Sequence, residues 1–442
     1  MSPRTYGIDE RPPLQESVLL GAQHLVAMLL GNITPPLLIA GALGLVAGET
    51  GPLLQAALFI AGISTIVQAY PIGPIGGRIP IVMGTSIAFV AACIAVGARA
   101  GLGAVFGACL VASTVEVGLG FGMGRIRGLF PPLVTSIVVM LIGLTLVPVG
   151  MDYAAGGVGA TDYGSSTHVA IAALVLVVTL VLNRFGKGIA AHASVLAGVM
   201  VGYVLAAVLG MVDLSGVGRA GWLSIPRPLP YGLSFDTSAI LMFAFVYVIS
   251  TMETIGDITG VMAAAGRPPT TEELKGGLVA DAASSGVAAL FGAFPTTSYS
   301  QNVGLVNFTG VASRHVTAMA GVLLVGLGLF PKVGALFATI PPSVIGGAAL
   351  VMFGMIFSSG AAIFARDVAL NRRNLVILAV SIGVGLGVEL RPGVLASLPE
   401  SLRNFLAAGL VTGGLLALVL NVLLPGEGVE EEPAESPLGA SS

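Results

Sequence analysis

Charge is what this chain has least of. Lys, Arg, Asp and Glu together make up 9% of its 442 residues, against about 25% in soluble domains, and mean hydropathy is +0.98. A water-soluble globular domain is excluded; the composition is that of an integral membrane protein. The 19 basic and 22 acidic residues leave a net charge of -3 and no basic stripe, which excludes a nucleic-acid surface. Cysteine is nearly absent: Cys93 and Cys109 lie in apolar runs without disulfide or metal-ligand spacing, and read as packing residues. There is no Ser/His/Asp triad arrangement, metal-ligand cluster or Walker-type loop, so no cofactor is expected and an enzyme has no candidate site. The N-terminal MSPRTYGIDERPPLQES lacks a short apolar core followed by a cleavage site, which leaves insertion to the first span.

Glycine is plentiful instead, 63 residues, as close helix packing in lipid requires. With about 20 apolar residues per span, the sequence predicts seven helices near 17–40, 51–69, 79–97, 101–122, 130–150, 168–185 and 191–212. A polar, Pro-rich connection follows, and then seven more near 237–262, 276–295, 296–311, 315–331, 340–364, 373–390 and 404–425. The chain divides into an N-terminal tail 1–16, a first seven-span repeat 17–212, a connection 213–236, a second repeat 237–425 and an acidic tail 426–442 that reads as disordered. With the N-terminus inside, thirteen Lys and Arg fall on the cytoplasmic side and six outside, which obeys the positive-inside rule and makes both termini cytoplasmic.

The halves match in order. GNITPP (31–36) answers GDITGV (256–261), and FPPLVTSIVVMLIG (130–143) answers IPPSVIGGAALVMFG (340–354). RIPIVMGTSIAFV (78–90) and AFPTTSYSQNVGLV (293–306) both pass from Pro through small polar residues to an apolar run. An odd number of spans per half makes the repeats inverted, and broken third and tenth spans would cross at mid-membrane with helix N-termini facing one site.

Polar side chains at that depth are costly unless they line a cavity. Glu253 and Asp257, four residues apart on one face of the eighth span, read as substrate ligands or proton carriers, against the alternative of structural acids bonded to helix ends. Asp281, placed near a helix start, is evenly divided between function and capping. Glu116 reads as structural. The carboxamides of Gln301 and Asn302 both donate and accept, which suits a planar heterocycle, with helix-helix glue as the alternative. Ser300 adjoins them. His24, among apolar residues, reads as a buried neutral ring before a proton carrier. Gly304 permits close backbone approach, and Thr309 can return its hydroxyl to the helix.

The segment QNVGLVNFTG (301–310) resembles the signature of the nucleobase/ascorbate transporter family at every fixed position. Gln23 and His24 resemble its first-span pair, Glu253 its eighth-span acid, and Gly84, Thr85 and Ser86 its third span, so the likeness covers about 15–425. The resemblance implies an all-α, fourteen-span homodimer in the cell membrane. Spans 1–4 and 8–11 would form a core sliding against a gate of spans 5–7 and 12–14, in symport with a proton. It implies substrate contacts from Glu253, Gln301, Ser300, Asn302 and the backbone at Ser86 and Ile87. Asn302 would fix Gln301, and Asp257 would serve coupling, with His24, Asp281, Gly304 and Thr309 in support. Gln at 301 points to an oxidised purine, uric acid or xanthine, where uracil carriers place Glu; Asp257 also stands where those carriers tend to have His. Ile87 departs from the family's usual Phe; Phe89, Phe294 and Tyr299 are candidate substitutes for its stacking. The rival expectations are a uracil or broad nucleobase carrier and an anion carrier of related architecture, although no Lys or Arg falls within spans 3, 8 or 10.

Overall fold

The structure is a computed structural model that describes residues 6–122, 131–187 and 189–424. Arg4, Arg125, Arg127, the first residue of the fifth expected span and the acidic tail lie outside the described residues. Helix α1 (Leu14–Ala42) carries Pro35 and Pro36 in its interior. Each withholds an N–H, so the carbonyls of Gly31 and Asn32 lose their usual helical donors. Helix α2 (Ala47–Ala69) follows, then strand β1 (Met83–Thr85), a single 3-10 turn (Ile87–Phe89) and α3 (Val90–Phe121). Next come α4 (Pro132–Ala154), α5 (Ser166–Phe185) and α6 (Ser194–Val208). The second half repeats that order: α7 (Thr237–Ala264), α8 (Thr271–Leu290), β2 (Thr296–Ser298), α9 (Ser300–Thr309), α10 (Arg314–Gly328), α11 (Pro342–Asp367), α12 (Arg372–Leu390) and α13 (Gly409–Leu423).

Several boundaries differ from the sequence expectation. The third and fourth spans join in α3, broken only at Gly101, whose φ of 78° with ψ of 172° is open to glycine alone. Gly310, left-handed at φ 68°, caps the C-terminus of α9 before α10. The ninth span begins at Thr271, not 276, because Thr270 and Glu273 form a reciprocal capping box. The eleventh bends by 86° into a short helix Pro331–Phe337, and the fourteenth is likewise bent by 86° between Glu400–Leu406 and α13. Among the described residues, eight helices are long and apolar enough to cross a membrane, or ten if each bent pair is one span. The seventh expected span is only a 15-residue helix and the tenth a 10-residue one.

Packing sorts the helices into two groups. Helix α2 lies along α10, α3 along α7 and α8, and α1 against α10 and α2; the strands and α9 join these. The other group is α4 along α11, α5 with α6, and α12 with α13. Small residues set the approach: a Cβ at Gly62 would stand 2.5 Å from the Val325 nitrogen, and one at Gly346 would stand 2.1 Å from that of Ala154.

Candidate functional site: a two-stranded ribbon ringed by carboxyls and carboxamides

At the centre of the first group, β1 and β2 pair antiparallel, with Met83 opposite Ser298, Gly84 opposite Thr297 and Thr85 opposite Thr296. Bonds from Ser86 N to Pro295 O (2.8 Å) and from Tyr299 N to Val82 O (3.0 Å) extend the ladder. A two-stranded ribbon leaves both outer edges unpaired, and burial forbids that. Side chains fill the gaps symmetrically. The Met83 N–H donates to Thr65 Oγ1 at 3.0 Å and that of Thr85 to Asn32 Oδ1 at 2.8 Å; on the other strand Thr296 donates to Ser285 Oγ at 3.0 Å and Ser298 to Asp281 Oδ2 at 3.2 Å. The chain then enters a helix from each strand, the two leaving in opposite directions, and neither start carries a side-chain cap. Backbone N–H groups there are open to a ligand's acceptors.

Asp281 corrects an expectation. It stands in the middle of α8, fully buried, and not at a helix start. Its Oδ2 also accepts from Thr254 Oγ1 at 2.5 Å and Ser298 Oγ at 3.1 Å, while Oδ1 has no partner. Asp257 accepts from Ser300 Oγ at 2.7 Å through Oδ1, and its buried Oδ2 is unpartnered. Glu116, read as structural, is fully buried with Thr251 Oγ1 3.5 Å from its Oε1. Glu253 is half-buried and interacts electrostatically with Asp257 and Asp281. Among the described residues no Lys or Arg pairs with any of these four acids.

Ser300 therefore joins Asp257 of the eighth span to the first turn of α9, where Gln301 follows. Gln301 and Gly304 line a cavity of about 240 Å³ with Gly31 of α1. Glu253 borders instead a narrow apolar slot against Val134, Val138 and Leu418, so the two expected ligands do not share either cavity. Asn302, next in sequence but on a buried face, donates through Nδ2 to Pro80 O at 2.7 Å and lies beside the His24 ring. That contact replaces the expected one to Gln301. His24 Nδ1 and Asn302 Oδ1 are buried without partners. Ser86 Oγ is also unpartnered, Ile87 is half-buried beside it, and Thr309 Oγ1 donates to Leu305 O at 2.8 Å.

All three aromatics considered for the Ile87 position are buried in the core. Phe89 packs on Tyr247 and Phe243 at 4.6 and 5.6 Å between ring centroids, and Phe294 on Phe106 at 5.6 Å. Tyr299 stays close to the acids, with Glu253 acting on it electrostatically. Its Oη donates to Thr85 O at 2.7 Å, and its ring lies over Gly84, where a Cβ would stand 2.6 Å away. The ribbon supports Asn32, Thr65 and Ser285 escaped sequence reasoning; the GNITPP match already singled out the segment holding Asn32.

The chain matches the family model Xan_ur_permease, described as the Permease family, over residues 15–393. It belongs to that family. The protein is thus a multi-pass membrane permease and not an enzyme. It is 42% identical over 95% of its length to "Putative purine permease CPE0397" of Clostridium perfringens, covering 92% of that protein. With the xanthine permease XanP of Escherichia coli K12 it shares 38% identity over 96% of this chain and 95% of the relative. With the uric acid transporter UacT of the same organism it shares 37%, over 92% and 86%. Among solved structures, the transmembrane domain of the cyanobacterial bicarbonate transporter BicA superposes with a TM-score of 0.61 at 15% identity, over 95% of this chain and all of that one. Murine Slc26a9 in its inward-facing state superposes with a TM-score of 0.66 at 10% identity, over 94% and 69%. At those identities the likeness fixes the fold alone, a 7+7 arrangement.

Proposed function

We propose that this permease carries an oxidised purine base, uric acid or xanthine, across the cell membrane in symport with protons. The observation that carries the proposal is the linkage at the start of α9, where the open helix N-terminus presents Gln301 while Ser300 hands a hydrogen bond to Asp257. A carboxamide offers a donor and an acceptor side by side, matching a carbonyl next to a ring N–H on such a base. A carboxylate accepts from further ring N–H groups, which is the role given to Glu253. A site with these fixed partners rejects analogues that leave them unpaired. The names of the purine, xanthine and uric acid relatives agree with this chemistry.

The two packing groups support a mechanism in which one group moves against the other. Fourteen spans form two inverted seven-span repeats, with residues 17–212 and 237–425 as the repeats and both termini cytoplasmic. The group holding the ribbon is the core that carries substrate; the α4–α6 and α11–α13 group is the gate, held in a homodimer. Glu253 and Gln301 border separate spaces here, so binding draws the site together between core and gate, and the carboxyl cluster without cations takes up the coupled proton. Ser86 and Ile87 contribute the opposite helix start; Asn302, His24, Asp281, Gly304 and Thr309 hold the frame. Calorimetric titration of the purified protein tests the substrate class. Xanthine or uric acid binding that Gln301→Leu abolishes supports it; binding of uracil with neither purine would refute it.

A further inference from the structure

The cavity that receives Gln301 has a second polar wall. It opens between α1 and α9 on the core side and α5, α6 and α11 on the gate side, and Asn183, near the C-terminal end of α5, lines it together with Gln301. Asn183 is exposed, and among the described residues neither its carboxamide nor that of Gln301 bonds to another group of the protein. Ser194, the other polar side chain of the gate-side wall, is 1% exposed and turned into the packing. The gate wall is completed by Met352 and Met355, thioether side chains that adapt to a flat ring. At about 240 Å³ the space lies below the roughly 300–1,000 Å³ of drug-sized sites, a scale suited to one bicyclic base.

We propose that Asn183 is a substrate contact at the inner mouth: its carboxamide pairs with the donor-acceptor edge of an oxidised purine that Gln301 holds from the other side of the same cavity. The inference rests on the purine reading above. Free carboxamides carry two donors and two acceptor positions each, so a base between them satisfies two edges at once, one from the core and one from the gate. Asn183 thereby acts on the step in which the base passes between Gln301 and the cytoplasm, and its contact exists only when this cavity is open.

The test separates the two faces of the membrane. Purine exchange is measured with labelled xanthine presented outside, in whole cells, and inside, in inverted vesicles, for the wild type, Asn183→Leu and Asn183→Gln. Loss of the amide is expected to raise the half-saturation concentration at the inner face about three- to tenfold with the outer value unchanged, and Gln, which keeps the amide, is expected to retain most of the affinity. Equal rises at both faces would mark a structural role and overturn the proposal, as would no rise at the inner face. Wild-type protein that exchanges no purine from either face would overturn it together with the reading it rests on, whereas normal wild-type exchange with an unaffected Leu variant would remove this contact alone.

Discussion

Where the two packing groups meet at the end of α1, a tyrosine bridges them. Tyr153, on α4 and 5% exposed, places its hydroxyl 2.6 Å from Leu37 O and 2.9 Å from Leu38 O of α1, and a Cβ at Gly41 would stand 1.9 Å from that oxygen and 2.7 Å from Cζ. Tyr153→Phe removes one hydrogen bond, about 1 kcal/mol. Gly41→Ala forces the ring out and leaves the hydroxyl without its acceptors, about 2–3 kcal/mol, partly offset by the better helix propensity of Ala. If core and gate part at this point during transport, both substitutions deplete this arrangement, roughly fivefold for Phe and on the order of tenfold or more for Ala. A double-mutant cycle read by detergent unfolding checks the geometry. In a Tyr153→Ala background the cost of Gly41→Ala should vanish, giving a coupling of at least about 1 kcal/mol. Additivity within about 0.5 kcal/mol would refute the contact.

Further outcomes follow from the site and its rim. Glu253→Gln is expected to abolish purine uptake with normal amounts of folded protein in the membrane, and Gln301→Glu to shift selectivity toward uracil or stop uptake; unchanged xanthine and uric acid kinetics in both would remove these residues from the site. Gly84→Ala drives a Cβ to 2.6 Å from the Tyr299 ring and 2.9 Å from Asn32 Oδ1, so uptake should fall at least tenfold, measured against the surface amount of protein, while Gly48→Ala, with nothing nearby, should be silent. At the start of α7, bonds from Arg99 and then Ser238 hold the Asp236 carboxyl well below its usual range. A depressed folded-state value contributes stability above the unfolded value near 4 and loses it only as pH falls through the lower folded value. Asp236→Asn should therefore lower the melting temperature equally at pH 6 and pH 8; a difference between them would contradict the pairing.

The paired Pro-led segments 78–90 and 293–306 made the ribbon region legible, because small polar residues at membrane depth need a reason that apolar runs do not. Asp257 and Ser300 were separately visible, yet their bond depends on how α7 packs beside α9. Asp281 was misplaced through a missed signal: Thr270 and Glu273 spell a capping box that sets the helix start ten residues upstream. Asn32, Thr65 and Ser285 were hidden for a different reason. They serve backbone groups of distant strands, and no local pattern records that. Nor could spacing show Tyr153, whose bond partners lie in the other packing group, or that Asn183 lines one cavity with Gln301.

The central claim is tested most directly by uptake of labelled uric acid, xanthine and uracil into cells lacking their own carriers, with and without a protonophore. Saturable uptake of an oxidised purine that collapses with the proton gradient is the predicted result. Uptake of uracil alone, or purine uptake indifferent to the protonophore, would contradict it.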